Sequence, residues 1–516
     1  MTRLVVVGNG MVGARFVEDL LAADSAHRFD VAVVGAEACE PYNRVLLSEV
    51  LAAKHDLADL TLPTPVSDRL TVHRGTHAVR LDLNDRLVET DDGVRLRYDR
   101  LVLATGSTAR VPPIAGLSTV GRLAGGVHPL RTIDDAREIV AATLNARRAV
   151  VLGGGVLGME AACGLARRGV AVTVVHPAAA LMERQLDEGA SRVVETAMTA
   201  LGIDQRVGTG AVEAVVEHGR VSGLVLDDGQ VLAADLLVLA TGTVPSTGLA
   251  AAAGLGVDRG IVVGDDLACP ADPRVAAIGD CAQPPEGGSG LVAQGWEQSR
   301  RLAARLCGAA PDHSVQAPPT TSDVVRLKAH GLDVVTMGVC GTQRPGDPTQ
   351  RTLRLSDPAA GRHVEVVVSG GLLVGATCVG GGSVAAELVT TYTRRTPVPA
   401  DPAHLLLSTL APRPGRAATP ADLPDDATVC RCNGVSKGAI AACVGDGATS
   451  VEDVATRTRA TTGCGGCADD VCALLDALHP GPDTTSSTGS RTTVLPREDD
   501  VTKGKHMIHS TETAAS

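Results

Sequence analysis

The chain has 516 residues and a formal net charge of −12, and this acidic excess argues against nucleic acid or an anionic membrane as the main partner. No apolar run approaches the roughly 18 residues of a membrane span, and the first residues lead straight into a predicted strand, so we expect no membrane segment, no signal peptide and a cytoplasmic location. Hydrophobic residues make up 44% of the chain, aromatic ones only 1%, and glycines number 58, which favours an α/β fold of several domains with buried parallel strands.

The chain begins with a pattern typical of dinucleotide binding. An apolar run at residues 4–7 leads into Gly8, Gly10 and Gly13, and helical periodicity follows. In such a strand–turn–helix unit the first glycine forms the tight turn, the second lets the backbone approach a pyrophosphate, and the third lets the helix pack on the strand. The phosphates then lie at a helix N-terminus, which favours negative charge.

The next two segments supply candidate polar contacts. The sequence FDVAVVG at residues 29–35 predicts a second parallel strand, and Glu37 follows it, where an acid commonly binds the adenosine ribose. A solvated loop glutamate is the alternative. The sequence PYNRVLLS at residues 41–48 is too particular to be simple scaffold. Its Arg44 would face the ring or the pyrophosphate of the dinucleotide, with a surface ion pair as the alternative.

A repeated strand and turn indicate that one dinucleotide-binding unit is inserted in another. LVLATGS at residues 101–107 recurs as LLVLATGT at residues 236–243, and its small-residue turns contribute Thr105, Gly106 and Gly242 as candidate cofactor contacts. Between the two copies lies AVVLGGGVLGME, residues 149–160, a second glycine fingerprint. Its three glycines are Gly153, Gly155 and Gly158.

The nucleotide preference of the second unit stays open. Its second strand runs into His176 and Pro177 rather than into the acid that favours NADH, and the first acid is Glu183. Arg184 would assist a 2′-phosphate or lie on a helix surface. The pattern therefore decides nothing between NADH and NADPH.

The first unit resumes after the second ATG turn. AAIGDC at residues 276–281 predicts another strand followed by Gly279 and Asp280, and Asp280 is a candidate contact for the ribityl or phosphate region of a flavin dinucleotide. An ordinary turn residue is the alternative for this aspartate. A predicted helix opening at Gln294 and Gly295 would place its N-terminus near negative charge on a reduced flavin.

On these motifs, residues 1–310 resemble the glutathione-reductase-like flavoproteins. The resemblance implies FAD on the first fingerprint, NAD(P)H on the second, and hydride transfer between their rings. It also implies that Glu160, which closes GGGVLGME, pairs with a basic residue beside the flavin; Arg44 is the expected partner and Lys54 the alternative, so Arg44 and Glu160 are the catalytic candidates. The first unit lacks a CxxC motif, so we expect electrons to leave by another route.

Four cysteines near the C-terminal end form the sharpest metal signal. Cys430 and Cys432 form a CxC motif, and Cys464 and Cys467 a CxxC motif, a set that suits a [2Fe–2S] cluster or a structural zinc. The interval between them reads helical, which favours iron and sulfur over a zinc ribbon. The pattern is similar to the bacterioferritin-associated ferredoxin-like domain. Cys472 is expected in the core of the last helix.

Together the motifs imply an α/β fold with two nested Rossmann-like domains, a small α/β third domain and a small helical [2Fe–2S] domain. In the resembling flavoproteins the third domain often forms a dimer interface, which implies a homodimer. The expected boundaries are 1–120 and 247–312 for the FAD-binding domain, 121–246 for the NAD(P)-binding domain, 313–411 for the third domain, 412–427 for a linker, 428–478 for the cluster domain and 479–516 for a disordered tail.

The whole pattern resembles the flavoprotein part of the NAD(P)H-dependent nitrite reductase large subunit and the electron-transfer subunit of assimilatory nitrate reductase. This resemblance implies electron flow from NAD(P)H through FAD and [2Fe–2S] to a separate nitrate or nitrite reductase, because too few cysteines follow Cys467 for a sirohaem and [4Fe–4S] site. A stand-alone NAD(P)H oxidase or ferredoxin reductase is the enzymatic alternative. A redox-sensing binding module is the non-enzymatic one.

Overall fold

Helices and strands alternate around the two glycine fingerprints, and runs of consecutive strands lie between these segments, so the chain has the expected α/β character. The computed structural model describes residues 1–119, 121–308, 323–342, 346–407, 420–430, 433–463 and 465–478, which belong to one compact unit, Met1–Leu478. The predicted tail at 479–516 and residues 412–419 of the predicted linker lie outside the described residues. The other predicted boundaries stay predictions.

The described residues contain twelve α-helices. None of these helices is long and apolar enough to cross a membrane. They are α1 Met11–Ala23, α2 Leu47–Leu51, α3 Ile133–Ala142, α4 Val156–Arg167, α5 Glu188–Ala200, α6 Gly248–Ala252, α7 Val292–Leu306, α8 Ser383–Thr393, α9 His404–Leu407, α10 Lys437–Gly445, α11 Val451–Thr458 and α12 Ala468–Leu478. Short 3-10 helices occur at Arg44–Leu46, Leu57–Leu60, Gly279–Cys281, Pro358–Ala360 and Pro420–Asp422.

The strands up to the second ATG turn are β1 Thr2–Val7, β2 Phe29–Gly35, β3 Leu70–Arg74, β4 Ala78–Asp82, β5 Leu87–Thr90, β6 Arg95–Arg97, β7 Arg100–Leu103, β8 Ser107–Ala109, β9 Ser118–Thr119, β10 Arg122–Leu123, β11 Val127–Pro129, β12 Arg148–Leu152, β13 Ala171–His176, β14 Ile203–Val207, β15 Ala211–Glu217, β16 Arg220–Leu226, β17 Val231–Ala233 and β18 Leu236–Leu239. Those that follow are β19 Thr243–Pro245, β20 Ile261–Val262, β21 Ala268–Cys269, β22 Asp272–Ala277, β23 Ala282–Gln283, β24 Val325–Leu327, β25 Val334–Gly338, β26 Arg351–Asp357, β27 Arg362–Ser369, β28 Leu372–Val379, β29 Thr428–Cys430 and β30 Val435–Ser436.

Two separate stretches of the chain build the first sheet, whose order is β21-β22-β7-β1-β2-β3. The pairs from β22 to β3 are parallel, and β21 runs antiparallel at the edge. Consecutive residues of β1 and β7 are buried, so both faces of these strands are covered, which is why the two strands are nearly continuous apolar runs. Leu4, Val6 and Leu101 from these strands are buried in the same core.

The second sheet lies entirely between β7 and β21 in the sequence. Its order is β11-β18-β12-β13-β14, and every neighbouring pair among these strands is parallel. The insertion of one Rossmann-like unit in another, expected from the repeated ATG turns, is therefore confirmed.

Two smaller pieces follow the nested units. Strands β24, β25, β28, β27 and β26 form an antiparallel sheet against which α8 packs. Farther along, helices α10, α11 and α12 pack with the β29–β30 hairpin around a core that includes Ile440, Val454 and Leu474. The predicted small α/β third domain and small helical domain are both confirmed.

Close backbone contact fixes each glycine turn. Gly8 has a φ of +119°, and a Cβ placed there would lie 2.1 Å from the carbonyl oxygen of Ala104. A Cβ at Gly13 would lie 2.0 Å from the oxygen of Gly8. The second fingerprint repeats both contacts, at 2.3 Å from Ala240 for Gly153 and at 1.9 Å from Gly153 for Gly158. Only glycine lets strand, turn and helix approach this closely.

A buried carboxylate joins the second unit to the antiparallel sheet. Asp187 caps α5 by accepting hydrogen bonds from the N–H groups of Gly189 at 2.8 Å and Ala190 at 3.3 Å, and its Oδ2 lies 2.9 Å from Nε2 of His363 on β27. Burial raises the pKa of Asp187, but the hydrogen bond and charge of His363 and the two backbone hydrogen bonds lower it further, so this pKa lies below its ordinary value.

We predict that Asp187→Ala lowers the free energy of unfolding by about 2–4 kcal/mol, because it removes a helix cap and a hydrogen bond to a buried imidazole. Because the folded-state pKa is depressed, this stabilisation is present above the unfolded pKa of about 4 and is lost as the pH falls through the folded value. Urea unfolding between pH 3 and pH 8 measures the difference. Asp187→Asn keeps the cap and serves as the control with a smaller loss; equal stability of Asp187→Ala and the parent at pH 7 would contradict the prediction.

Candidate functional site

The two ATG turns meet at the carboxyl edges of the two parallel sheets. Strands β8 and β19, which follow these turns, pair antiparallel, with Thr243 opposite Ala109. The hydroxyl of Thr105 donates to the carbonyl of Ser246 at 2.7 Å, and the N–H of Ser246 donates to the carbonyl of Gly106 at 2.9 Å. The structure therefore brings the predicted contacts Thr105, Gly106 and Gly242 together at the junction of the two nested units.

Asp280, from the second part of the first unit, lies at the same edge of the first sheet. It follows Gly279 after β22, which pairs parallel with β7, so both strands end at one edge of the sheet. Its Oδ2 accepts hydrogen bonds of 2.7 Å from the hydroxyl of Ser107 and of 2.7 Å from Nη2 of Arg131. These two hydrogen bonds fix the side chain of Asp280 at the edge of the first sheet.

Arg131 also lies at this junction, and sequence reasoning missed it. It precedes α3 in the second unit, and besides Asp280 it contacts the backbone oxygen of Ser107 with Nε at 3.1 Å. No motif surrounds it; the only local signal is the capping box of Thr132 and Asp135, which predicts a helix start and no ligand. Its contacts with Ser107 and Asp280 form only because the two parallel sheets, built from distant parts of the chain, lie next to each other.

Arg44 and Glu37 form one cluster above the first fingerprint. Their side chains make an ion pair, the hydroxyl of Tyr42 donates to Glu37 at 2.7 Å, and the guanidinium of Arg44 stacks 4.7 Å from the ring centroid of Tyr42. Burial, with Glu37 adding to it, raises the pKa of Tyr42 well above its ordinary range. A Cβ on Gly10 would lie 3.9 Å from Nε of Arg44, so the arginine borders the phosphate turn.

The expected pairing of Glu160 with Arg44 is wrong, and so is the alternative with Lys54. Glu160 is 3% exposed, and its Oε1 accepts from Nζ of Lys328 at 3.1 Å and from the N–H of Lys328 at 2.9 Å. Its Oε2 accepts from the hydroxyl of Ser48 at 2.5 Å. Arg44 is held by Glu37 instead, and the lysine comes from the loop between β24 and β25 of the antiparallel sheet.

The middle glycine of each fingerprint leaves room for a ligand. A Cβ on Gly155 would meet no described atom within 4 Å, whereas Cβ atoms on Gly153 and Gly158 would collide with backbone. Gly10 is similarly open, with only Arg44 atoms at 3.9 Å among the described neighbours. This space at the N-termini of α1 and α4 fits the pyrophosphates of FAD and NAD(P)H.

A histidine and a glutamate stand where the second unit would meet its nucleotide. Nε2 of His176, at the end of β13, lies 2.9 Å from Oε2 of Glu183. Nδ1 of His176 is buried and has no hydrogen-bond partner among the described residues. A Cβ on Gly154 would lie 2.9 Å from Cγ of this imidazole, so the ring rests against the phosphate turn.

Two of the four predicted cluster ligands fall in the described residues. Cys430 ends β29 and Cys467 directly precedes α12, and both are buried in the small helical core. Nδ2 of Asn433 lies 3.7 Å from Sγ of Cys430, a contact of the kind that orients and tunes a thiolate ligand. Cys432 and Cys464 lie outside the described residues. Buried cysteine sulfurs next to an amide donor fit a [2Fe–2S] cluster.

The expectation for Cys472 is wrong. Its side chain is exposed, while Val471, Leu474 and Leu475 form the buried face of α12. The periodicity of that helix places position 472 on the opposite side.

The small helical domain that contains Cys430 and Cys467, called the cysteine domain below, contacts the first dinucleotide-binding unit. Nη1 of Arg15 on α1 donates to Oδ1 of Asn433 at 2.8 Å. Nε of Arg459 donates to Glu18 on α1 at 2.7 Å. Asn433 in turn donates to the carbonyl of Arg459 at 2.6 Å, so one helix of the first unit holds a segment that also contacts Cys430.

Comparison with known proteins agrees with this construction. The model of the family described as pyridine nucleotide-disulphide oxidoreductase matches residues 2–300, and that of the BFD-like [2Fe-2S] binding domain matches residues 428–477. The chain belongs to the pyridine nucleotide-disulphide oxidoreductase family and adds a [2Fe–2S] domain to it. Its cofactors are FAD, NAD(P)H and a [2Fe–2S] cluster.

Individual relatives narrow the comparison. Nitrite reductase [NAD(P)H] of Bacillus subtilis (strain 168) is 34% identical over 90% of this chain and 56% of its own length. The assimilatory nitrate reductase electron transfer subunit of the same organism is 32% identical over 92% of this chain and 59% of its own. The chain thus spans less than two thirds of these relatives. A crystal structure of the covalent putidaredoxin reductase–putidaredoxin complex aligns with a TM-score of 0.69 and 27% identity, covering 80% of this chain and 99% of that one.

We predict that Gly155→Ala raises the KM for NAD(P)H about tenfold or more while leaving the fold intact, because the methyl group fills space that the pyrophosphate needs. Ferricyanide reduction at varied NAD(P)H, with circular dichroism of the same samples, measures both effects. Gly248→Ala, another glycine with no described atom within 4 Å of its Cβ position, is the control and should keep the parental KM. A parental KM in Gly155→Ala would contradict the assignment.

Proposed function

We propose that this chain oxidises NAD(P)H and passes the electrons through FAD and its [2Fe–2S] cluster to a separate nitrate or nitrite reductase polypeptide. The observation that carries the proposal is the contact of the cysteine domain with α1, the helix of the first fingerprint, through Arg15–Asn433 and Arg459–Glu18. Two electron carriers held on the same helix are suited to exchange electrons. FAD, when bound, accepts a hydride and returns its two electrons one at a time.

Different residues of the chain bind the three cofactors in this proposal. We assign Gly8, Gly10, Gly13, Glu37, Thr105, Gly106, Gly279 and Asp280 to FAD, Gly153, Gly155, Gly158 and Gly242 to NAD(P)H, and Cys430, Cys432, Cys464 and Cys467 to the cluster. Arg44 and Arg131 oppose the negative charge of the FAD pyrophosphate, since Arg44 borders Gly10 and Arg131 holds Asp280.

Glu160 has a different role from Arg44 in this proposal. Its buried ion pair with Lys328 and its hydrogen bond with Ser48 fix the α2 segment against α4 and the antiparallel sheet. The same contact would hold the wall of the flavin site in one position during hydride transfer, which needs close and aligned rings.

We also propose a preference for NADH. The carboxylate of Glu183, held by His176 at the end of β13, would accept a hydrogen bond from a ribose 2′-hydroxyl and would repel a 2′-phosphate. The chain's thiols and its nicotinamide substrate suit a cytoplasmic location, where cysteines stay reduced.

The relative named as an electron transfer subunit supports a separate acceptor, since it aligns with 92% of this chain. The likeness to putidaredoxin reductase favours a second candidate, reduction of a small iron–sulfur carrier. The two differ in what the cluster domain does: the first needs it to reach the acceptor, and the second does not.

We expect Glu183→Ala to reduce the ratio of NADH to NADPH catalytic efficiency about tenfold, because it removes both the ribose acceptor and the repulsion of a 2′-phosphate. Initial rates with each nucleotide and ferricyanide measure this ratio. Glu188→Ala, which removes an exposed acid on the same unit, is the control. A parental ratio in Glu183→Ala would contradict the preference.

The function itself is tested by reconstitution. The chain, NADH and a purified nitrate or nitrite reductase catalytic subunit should together consume nitrate or nitrite, and omission of the chain should stop the reaction. Cys467→Ser should keep NADH–ferricyanide activity within about twofold and lower the transfer to the reductase about tenfold or more, because it removes a cluster ligand. Full transfer by Cys467→Ser, or transfer only to a small carrier, would contradict the proposal.

A further inference from the structure

One buried amide links the segment before Cys464 to the flavin side of the molecule. Nδ2 of Asn43 donates to the carbonyl of Thr462 at 2.9 Å and to that of Gly463 at 2.5 Å. The asparagine is 2% exposed. Both acceptors lie in the two residues directly before the predicted ligand Cys464.

The orientation of this amide is fixed by its other end. Oδ1 of Asn43 accepts from the N–H of Val45 at 3.1 Å, as the cap of the 3-10 helix Arg44–Leu46, and the N–H of Asn43 donates to the carbonyl of Leu60 at 2.7 Å. Since the oxygen is committed to this cap, the amide nitrogen faces the cysteine segment.

The chain on the other side of Cys464 also packs on this stretch. A Cβ placed on Gly465 would lie 3.0 Å from Cδ2 of Leu46, and Gly465 has a φ of +74°, which a larger residue adopts at a cost. Residues directly before and directly after Cys464 therefore contact the single short stretch from Asn43 to Leu46.

Extended by two residues to Ser48, this stretch also contacts the predicted flavin-side residues. Arg44 pairs with Glu37 and borders Gly10, and Ser48 holds Glu160. The six residues 43–48 thus contact the cysteine segment through Asn43 and Leu46, and the predicted flavin-side residues through Arg44 and Ser48.

We propose that Asn43 is a positioning residue that holds residues 462 and 463, which directly precede Cys464, on the flavin-side stretch 43–48, and so sets the rate at which electrons cross between the two cofactors. The inference rests on the proposed function. In that function NADH would supply a hydride, which is two electrons and one proton; FAD, when bound, would accept it and would release the two electrons one at a time to a [2Fe–2S] cluster held by the four cysteines, and the one proton would go to solvent.

The test compares Asn43→Ala and Asn43→Asp with the parent as holoproteins of equal iron and flavin content. Asn43→Asp keeps an acceptor for the N–H of Val45 but replaces the amide donor with a carboxylate oxygen that faces the two carbonyls, so it breaks the link and retains the cap. Under anaerobic conditions, stopped-flow absorbance follows flavin reduction by NADH and freeze-quench EPR follows cluster reduction.

We expect flavin reduction within about twofold of the parental rate in both variants, and cluster reduction slower by about tenfold or more, because small misplacements of redox partners have large effects on rate. Hydrogen exchange of the peptide spanning 459–471 should also rise in both variants, which a change confined to catalysis would not produce. Asn145→Ala, an exposed asparagine in the second unit, should leave both measurements unchanged.

The possible failures are distinguishable. Parental cluster-reduction rates and parental exchange in Asn43→Asp would overturn the positioning role while leaving the proposed function intact. A parent whose cluster is never reduced by NADH would overturn the proposed function itself. If Asn43→Ala does not fold, Asn43→Asp alone decides, because its cap to Val45 is retained.

Discussion

In each nested unit the architecture depends on two close contacts between backbone segments, and a methyl group at either glycine would prevent the contact. In each nested unit the first fingerprint glycine lies against the strand that carries an ATG turn, and the third lies against the first. This brings a helix N-terminus to the carboxyl edge of a parallel sheet twice in one chain, and the middle glycines leave the space between open. The predicted dinucleotide contacts Gly10 and Gly155 border those two spaces.

Charged groups of the nested units are held by partners from distant parts of the sequence. Arg131 of the second unit reaches Asp280 of the first, and Lys328 of the antiparallel sheet reaches Glu160 of the second. Breaking a buried pair such as Glu160–Lys328 leaves an uncompensated charge, which costs several kcal/mol, about 3–5 in typical cases. These pairs join the separate domains, and the Arg459–Glu18 and Arg15–Asn433 contacts join the cysteine domain to the first unit.

Local patterns predicted the fold well, because each has its own physical cause. Glycine spacing and repeated apolar strands indicated the nested units, and the CxC and CxxC motifs indicated the cluster domain. Partners across domains could not be predicted in the same way. Lys328 stands 168 residues from Glu160 in an ordinary strand-and-turn stretch, and Arg131 has no motif at all. The error at Cys472 came from reading apolar composition without assigning the helix face that Val471 and Leu474 define.

The central claim, that one chain carries electrons from nicotinamide through flavin to iron and sulfur, is tested most directly by anaerobic titration of the purified protein with NADH. Iron, zinc and flavin analysis on the same sample, with visible and EPR spectra at each addition, reports the state of both cofactors. The account predicts two irons and one FAD per chain. NADH alone should bleach the flavin absorbance and produce the EPR signal of the reduced cluster. Zinc at the four cysteines, or a cluster that stays oxidised while the flavin is reduced, would contradict it.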